Sequence, residues 1–300
     1  MRLTMMTAFA ALMAFPAVAE DWKTDYRIVR FALISSENEL DRNNRWGPFQ
    51  DYLEEALGVE VEIFPAGSYD SAIQALAAGQ IEFSWFGPSA YAAAWSEMDG
   101  NVVPLLTTEQ QDGSFGYHSV VAVRCDAGYS SIEDLAGKTL AFADPNSASG
   151  YTVPFYTLSA EGYPPEEFFG AVPFSGSHES SIMGVVNGQF DAASTSWTNE
   201  TSGNVQRMIS KGMIPEDEIC FVWKSPLIPS SPFTARGNLP QGLIDDMKAA
   251  VMATPTAAPE LFKQITGGEA STAGRYIEVE HEQYEILIEM RDWFRANRRG

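Results

Sequence analysis

Gly67-Ser68-Tyr69-Asp70-Ser71-Ala72-Ile73, closed by Gly79-Gln80-Ile81-Glu82, returns without a gap as Gly176-Ser177-His178-Glu179-Ser180-Ser181-Ile182, closed by Gly188-Gln189-Phe190-Asp191. The two copies lie 109 positions apart. Each reads as a strand, a Gly-Ser turn that opens a helix, a Gly that ends it, and a second strand. Such a repeat makes two similar α/β units. The position after the Gly-Ser pair is Tyr69 in one copy and His178 in the other, so each unit brings a polar ring to a helix start. Helix starts gather unpaired N–H groups and the positive end of the helix dipole. Two such lobes aimed at a common place describe a clamp around a small anion.

Outward from the first copy, YRIVRFALIS (26–35) and GVEVEIF (58–64) read as strands, and 46–57 has helical periodicity. The strand IEFSWFG (81–87), an Ala-rich helix over 89–95 and the strand VVPLL (102–106) follow. Strands alternating with helices of this size predict a largely parallel sheet covered on both faces. GYHSVVAVRC (116–125) runs extended into the second unit, where SSIEDLAG (130–137) predicts a capped helix, TLAFAD (139–144) a strand and 151–160 a helix. The second copy adds its helix and the strand FDAAST (190–195). A helix over 204–209 and the strand ICFVWKS (219–225), expected to return to the first lobe, come next. SPLIPSSPF (225–233), with Pro226, Pro229 and Pro232, is a rigid connector and a candidate hinge. From Pro240 onward the pattern is helical, with one long helix over 278–298 packing on lobe one. Lobe one is therefore expected to comprise 20–118 and 226–300, with 119–225 inserted as lobe two.

The first 19 residues read as an export leader: Arg2, an apolar run over 5–15, and Ala17-Val18-Ala19 as a small-residue cleavage site. The run is too short to span a bilayer, and no later stretch is long enough. No Cys sits at the cleavage point, so a lipid anchor is not expected. The 300 residues carry 19 Lys and Arg against 40 Asp and Glu, a formal net charge of −21, and removal of the leader with Arg2 leaves the remainder one unit more negative. That composition excludes nucleic acid, whose binding needs a basic surface, and disfavours anionic membranes. It also requires that any bound anion be held by local donors against the overall field. Cys125 and Cys220 each end a β-rich run, and in an oxidising compartment such an isolated pair is expected to form a disulfide. His118, His178 and His281 have no metal-ligand spacing, and no cofactor is expected.

Asp144-Pro145-Asn146-Ser147-Ala148-Ser149-Gly150 follows a strand and opens a helix. Its two hydroxyls and small neighbours would let an oxyanion approach the backbone, although it lacks the Gly-Lys-Ser/Thr ending of a P-loop. Alone, the loop reads as a Ser-capped helix start, His178 as a structural histidine and Tyr69 as a half-buried aromatic. Asp70 and Glu179 are first-turn acids that complement the helix dipole. What raises Tyr69 and His178 together is their equivalence in the repeat.

In combination, WFGPSAY (85–91), GYHSV (116–120), DPNSASG (144–150), GSHE (176–179) and WKSPLIP (223–229) resemble the phosphate/phosphite/phosphonate group of periplasmic solute-binding proteins of ABC transporters, over nearly the whole chain after the leader. The resemblance implies a two-lobed α/β binding protein of type II. Each lobe would be a mixed sheet flanked by helices, and two crossover strands would form the hinge. It implies that Ser147, the backbone at Ala148, Ser149 and His178 hold phosphonate oxygens, and that Tyr69 and Tyr117 complete the site. Glu200 stands near the place of a family acid that engages a ligand amine, with Trp197 and Asn199 as alternatives, and Trp85 and Ser231 are further candidates. The expected ligand is then 2-aminoethylphosphonate, captured by a periplasmic monomer and delivered to a membrane permease. Two departures bear on this. Ala148 replaces a hydroxyl of the family loop, and Ser231 replaces a second amine-binding acid, which weakens the case for a cationic tail but leaves aromatic faces for an ammonium. Phosphite, phosphate or a sulfonate are the alternatives within the class. Outside it stand a ligand sensor and a cleft enzyme with a Cys nucleophile.

Overall fold

The computed structural model describes residues 22–33, 39–64 and 66–297, so the expected leader, 1–19, lies outside the described residues. Along the chain run β1 (Ile28–Leu33), α1 (Glu39–Leu57), β2 (Glu60–Phe64), α2 (Tyr69–Ala77), β3 (Phe83–Trp85), α3 (Pro88–Glu97) and β4 (Val102–Gln110). The second unit comprises β5 (Gly116–Arg124), β6 (Leu140–Ala141), α4 (Val153–Ala160), α5 (Pro165–Phe168), α6 (His178–Val186), β7 (Ala192–Asn199), β8 (Ser202–Gly203), α7 (Asn204–Ser210) and β9 (Ile219–Lys224). The chain returns through β10 (Ile228–Pro229) and β11 (Phe233–Arg236) to α8 (Gln241–Ala257), α9 (Pro259–Thr266), β12 (Ala273–Glu278) and α10 (Glu285–Asn297).

Two sheets result, of order β12-β4-β11-β3-β1-β2 and β10-β5-β7-β6, with β8 added to β7 and β9 to β5. The first sheet is mixed rather than largely parallel. Only β1 pairs parallel with β2 and β3, while β11 lies antiparallel between β3 and β4, and β12 antiparallel on β4. A parallel crossover needs a dozen or more connecting residues. The chain instead re-enters from β10 within three residues, at the Trp85 end of β3, and must run the opposite way.

The repeat is built in three dimensions with the same spacing. Both α2 and α6 have nine residues, begin 109 positions apart, and are capped by Ser68 and Ser177, whose hydroxyls accept from the backbone N–H groups of Ser71 and Ser180. Both end before a glycine with φ 69°, at Gly79 and Gly188. The parallel pairs Arg30↔Glu62 and Phe31↔Phe83 recur at the same offset as Thr139↔Ala171 and Leu140↔Ala192. One hydrogen bond recurs too. Glu82 accepts from the backbone N–H of Arg30, and Asp191 accepts from that of Thr139, at 2.8 and 2.9 Å. The acid that closes each copy therefore pins it to the first strand of its own unit.

Several expected elements take another form. SSIEDLAG yields one 3-10 turn, Glu133–Leu135, with the Asp134 carboxylate accepting from the N–H groups of Ser130 and Ser131. The strand in ICFVWKS stays in the second sheet as β9, paired with β5, and the return occurs in β10 and β11. Helix does not persist after Pro240: β12 intervenes, burying Tyr276 against the first sheet, and the last helix begins only at Glu285. That helix also packs on both units. Leu287 joins a cluster with Ala92 of α3 and with Ala148 and Val153 of the second unit, while Trp293 packs edge-on against Tyr156 and Phe294 at a tilt against Phe155. The Arg291 guanidinium donates to Asn146 Oδ1 at 3.0 Å.

Cys125 and Cys220 are joined by a disulfide at the β5–β9 edge, so neither is available as a nucleophile. Beneath the first sheet, Phe31, Phe49, Phe83 and Phe233 form a fully buried core. Burial of such a side chain stabilises by about 1.5–3 kcal/mol each, and this packing sets the ends of β1 and β3 where Leu33 and Trp85 reach the cleft.

Candidate functional site

A cavity of about 340 Å³ opens between the two units. Leu33 and Trp85, at the carboxyl ends of β1 and β3, face Ser196 and Thr198, near the carboxyl end of β7. Parallel α/β units bind ligands at this end of their strands, because the helices that follow point their N-termini there. Here both units point the same end into one space.

On the second unit the chain turns from β6 into a single π-helical turn, Ala148–Thr152, before α4. Ser147 caps this turn, its hydroxyl accepting from the Gly150 N–H at 3.0 Å. The first N–H groups of such a turn have no partner within it and project off its end. Gly150 is required by close approach. A Cβ there would lie 2.6 Å from Ala143 Cβ, 2.8 Å from Ser147 Oγ and 3.0 Å from His178 Cε1. Ser147 and Ser149 are each 2 % exposed and His178 9 %. The carbonyl of Ser149 accepts from Ser119 Oγ at 2.7 Å, and Ser119 is bonded through its own backbone N–H and carbonyl to Ser225 of the return segment. The loop is thus braced directly on the two crossing segments.

His178 begins α6 and is hydrogen-bonded through both ring nitrogens, Nε2 to Ser147 Oγ and Nδ1 to Thr195 Oγ1, each at 3.0 Å. Burial, reinforced by the nearby Arg207 charge, pulls its pKa down to about 4. The ring is neutral at neutral pH and offers one N–H without a charge to solvate. From the first unit, Tyr69 lines the cavity with Ser147, and burial pushes its pKa up to about 12, against a lowering by Ser147. Tyr117, on the first crossing strand, lines the cavity with Ser149, and burial raises its pKa as well. Both phenols therefore stay protonated donors. Gly116 beside it leaves room for the second crossing segment, since a Cβ there would lie 2.8 Å from the Ile228 carbonyl.

Tyr69, Trp85, Tyr117, Ser147, Ala148, Ser149, His178 and Ser231 all line the cavity. Glu200, Trp197 and Asn199 do not. Glu200 is exposed at the β7–β8 turn. Trp197 lies under the Lys224 ammonium at 4.6 Å, and Asn199 Nδ2 donates across the units to Thr272 Oγ1 at 3.1 Å. Conversely, Arg45 of α1, Trp46, Arg207 of α7 and Thr195 belong to the site or its immediate support and went unnoticed in the sequence. A signal existed for Arg207: Asn204 and Arg207 share a face of a helix that starts after Gly203, at helical spacing. Among the described residues no group of His, Cys, Asp and Glu is placed to hold a metal, and no helix is long and apolar enough to cross a membrane.

The model of ABC transporter phosphonate periplasmic substrate-binding proteins matches residues 31–284. The chain belongs to this phosphonate-binding family. It is 32% identical over 240 residues to the phosphonates-binding periplasmic protein of Escherichia coli K12, covering 79% of this chain and 68% of that one. It is 31% identical over 230 residues to the phosphate-import protein PhnD of Mycolicibacterium smegmatis, covering 73% of this chain and 70% of that one. Among solved structures, PhnD1 of Prochlorococcus marinus in complex with methylphosphonate superposes with a TM-score of 0.74 at 21% identity, over 90% of this chain and 98% of that chain. A binding-protein component of a phosphonate transporter from Pseudomonas aeruginosa gives 0.74 at 24% identity, over 88% and 85%. At these identities the structural matches establish the two-lobed α/β fold. Members of the family are substrate-binding components of ABC transporters, and the chain is such a component rather than an enzyme.

Proposed function

We propose that this protein captures a phosphonate in the cleft between its units, in the periplasm, and delivers it as a monomer to the membrane permease of an ABC importer. Residues 20–118 and 226–300 act as one lobe and 119–225 as the other, with the paired segments around Tyr117 and Ile228 as the hinge. The observation that carries the reading is the convergence, on one cavity, of the Ser147–Ser149 turn, His178 and Tyr69 from different units. Hydroxyls, a neutral imidazole N–H and turn N–H groups would replace the water around the three phosphonate oxygens with charge-assisted hydrogen bonds. Ser147, which bonds His178 and lines the same cavity as Tyr69, would be the point where the lobes close on the ligand. The ligands in the relatives' names, phosphonates, phosphate and methylphosphonate, share this tetrahedral oxyanion.

The finer expectation of 2-aminoethylphosphonate loses its chief support, because Glu200 is not in the cavity lining and the described lining residues include no carboxylate. The aromatic faces of Trp46, Trp85 and Tyr276 remain as the support for a cationic tail. Calorimetric titration with methylphosphonate, phosphite, phosphate and taurine tests the headgroup. Tight binding of methylphosphonate is expected. Heat from phosphite or taurine alone would overturn the phosphonate reading.

A further inference from the structure

Behind the headgroup site stands a hydroxyl that is not part of the cavity lining. Thr195, on β7, is wholly buried and pairs in strand register with Val120 of β5. Its Oγ1 lies 3.0 Å from His178 Nδ1, while Ser147 Oγ lies 3.0 Å from Nε2 on the other side of the ring. In the first copy of the repeat the equivalent position, 109 residues earlier, is Phe86, also wholly buried. A phenol such as Tyr69 has one way to donate. An imidazole has two, and the hydroxyl stands behind the ring whose proton has to be placed.

Burial and the Arg207 charge keep the His178 ring neutral, with one N–H and one lone pair. Were the hydrogen on Nδ1, it would be donated to Thr195, and Nε2 would accept from the Ser147 hydroxyl. The hydrogen of Thr195 would then have no acceptor among the described residues, which is costly for a buried hydroxyl. Ser147 would also have spent its hydrogen on the ring. With the hydrogen on Nε2, each group is satisfied. Thr195 donates to Nδ1, and Ser147 Oγ accepts from His178 Nε2–H and from the Gly150 N–H. Those two donors fill both lone pairs of the Ser147 oxygen and leave its own hydrogen for a ligand.

We infer that Thr195 is a positioning residue of the anion site: its hydroxyl donates to His178 Nδ1, holds the ring in the Nε2–H tautomer, and so makes both His178 and Ser147 donors toward the ligand's oxygens. This deepens the phosphonate reading and rests on it. A pair of donors suits an ionised oxygen, which accepts, rather than a P–OH group, which must donate.

Long-range proton–nitrogen NMR spectra of the whole protein with isotope-labelled histidine read the tautomer directly, and the signals that vanish in His178→Asn identify the ring. In the unliganded wild type, His178 is expected to carry its hydrogen on Nε2 and a lone pair on Nδ1. Thr195→Val suits a strand and keeps the shape but removes the hydroxyl hydrogen. It should lose this fixed pattern and bind methylphosphonate about tenfold more weakly in calorimetric titration. Thr195→Ser, which keeps the hydroxyl, should retain the wild-type pattern and most of the affinity. A Thr195 that only packs the strand would give the opposite ranking, with Val tolerated and Ser not. The inference is overturned by that ranking, by a wild-type ring with its hydrogen on Nδ1 or on both nitrogens, or by a Thr195→Val variant that keeps either the wild-type pattern or the wild-type affinity. In each of those cases, methylphosphonate binding by the wild type leaves the phosphonate reading standing. If methylphosphonate does not bind the wild type, that reading falls, and the role assigned to Thr195 falls with it whichever tautomer is found. Should Thr195→Val not fold, the wild-type spectrum and Thr195→Ser decide.

Discussion

In the first copy of the repeat the helix after the Gly-Ser turn begins with Tyr69, and in the second with His178. Below them Glu82 and Asp191 accept the same backbone hydrogen bond, from Arg30 in one copy and Thr139 in the other. The copies agree at the base, where each must hold a parallel strand pair, and differ at the tip, where each meets the cavity. Around the shared base the environments diverge too. Glu82 lies 3.7 Å from Arg236 and its carboxyl is raised by burial, whereas Asp191 also accepts from the Tyr129 hydroxyl at 2.9 Å. The fold tolerates such variation, provided the strand N–H keeps its acceptor. The tip carries a different demand. One lobe presents a phenol beside aromatic walls, and the other a neutral imidazole wedged between two hydroxyls. The shared base positions both lobes, and the difference at the tip makes the second lobe the one suited to grip an oxyanion.

The largest effect that separates the copies is a pH dependence. His178 has a folded pKa of about 4 against 6.5 for the free side chain. Between these values the unfolded chain binds more protons than the folded one, so stability is full above pH 6.5 and is lost as pH falls toward 4. The loss is about 3 kcal/mol for this group. Chemical denaturation of wild type against His178→Asn should show this slope in the wild type and its removal in the variant. Equal slopes would mean the ring is not buried neutral. Next in size, His178→Ala should weaken every phosphonate alike, by about 10- to 100-fold, and titration losses that depend on the tail would contradict its place at the headgroup.

Glu82→Ala and Asp191→Ala each orphan a strand N–H, at a cost of about 1–3 kcal/mol. Both should lower the midpoint of unfolding while the folded variants bind ligand as before; a change in affinity would mean that the base and the tip are not separable. Tyr69→Phe, which removes only the first lobe's hydroxyl, should cost about tenfold or less in affinity, a smaller loss than His178→Ala. A reversal of that order would invert the asymmetry between the lobes. Smallest of all, Glu200→Ala should leave the affinity for 2-aminoethylphosphonate within about twofold, as expected for an exposed charge.

The repeat made much of this legible before any coordinates, because a fixed offset constrains tertiary structure as well as local structure. The positions of α2 and α6, the Ser caps and the pairing of Tyr69 with His178 all follow from it, as does the Ser147–Ser149 turn from its place between a strand and a helix. What lay beyond reach depended on partners distant in sequence. The antiparallel insertion of β11 between β3 and β4, and the strand β12 hidden in a stretch that looked helical, are decided by pairing with residues more than a hundred positions away. Arg45 and Arg207 belong to different helices of different units and line one cavity only because the units face each other. Glu200 shows the opposite case: a position near the right place in the chain, exposed at the β7–β8 turn and absent from the cavity lining.

The most direct measurement is a crystal structure of the protein with methylphosphonate. The phosphonate oxygens are expected within hydrogen-bond reach of Ser147 Oγ, Ser149 and His178 Nε2 in the interlobe cavity, with Tyr69 closing over them from the other lobe. A phosphonate bound elsewhere, or bound in the cleft with its oxygens turned away from His178 and the Ser147–Ser149 turn, would contradict the site described above.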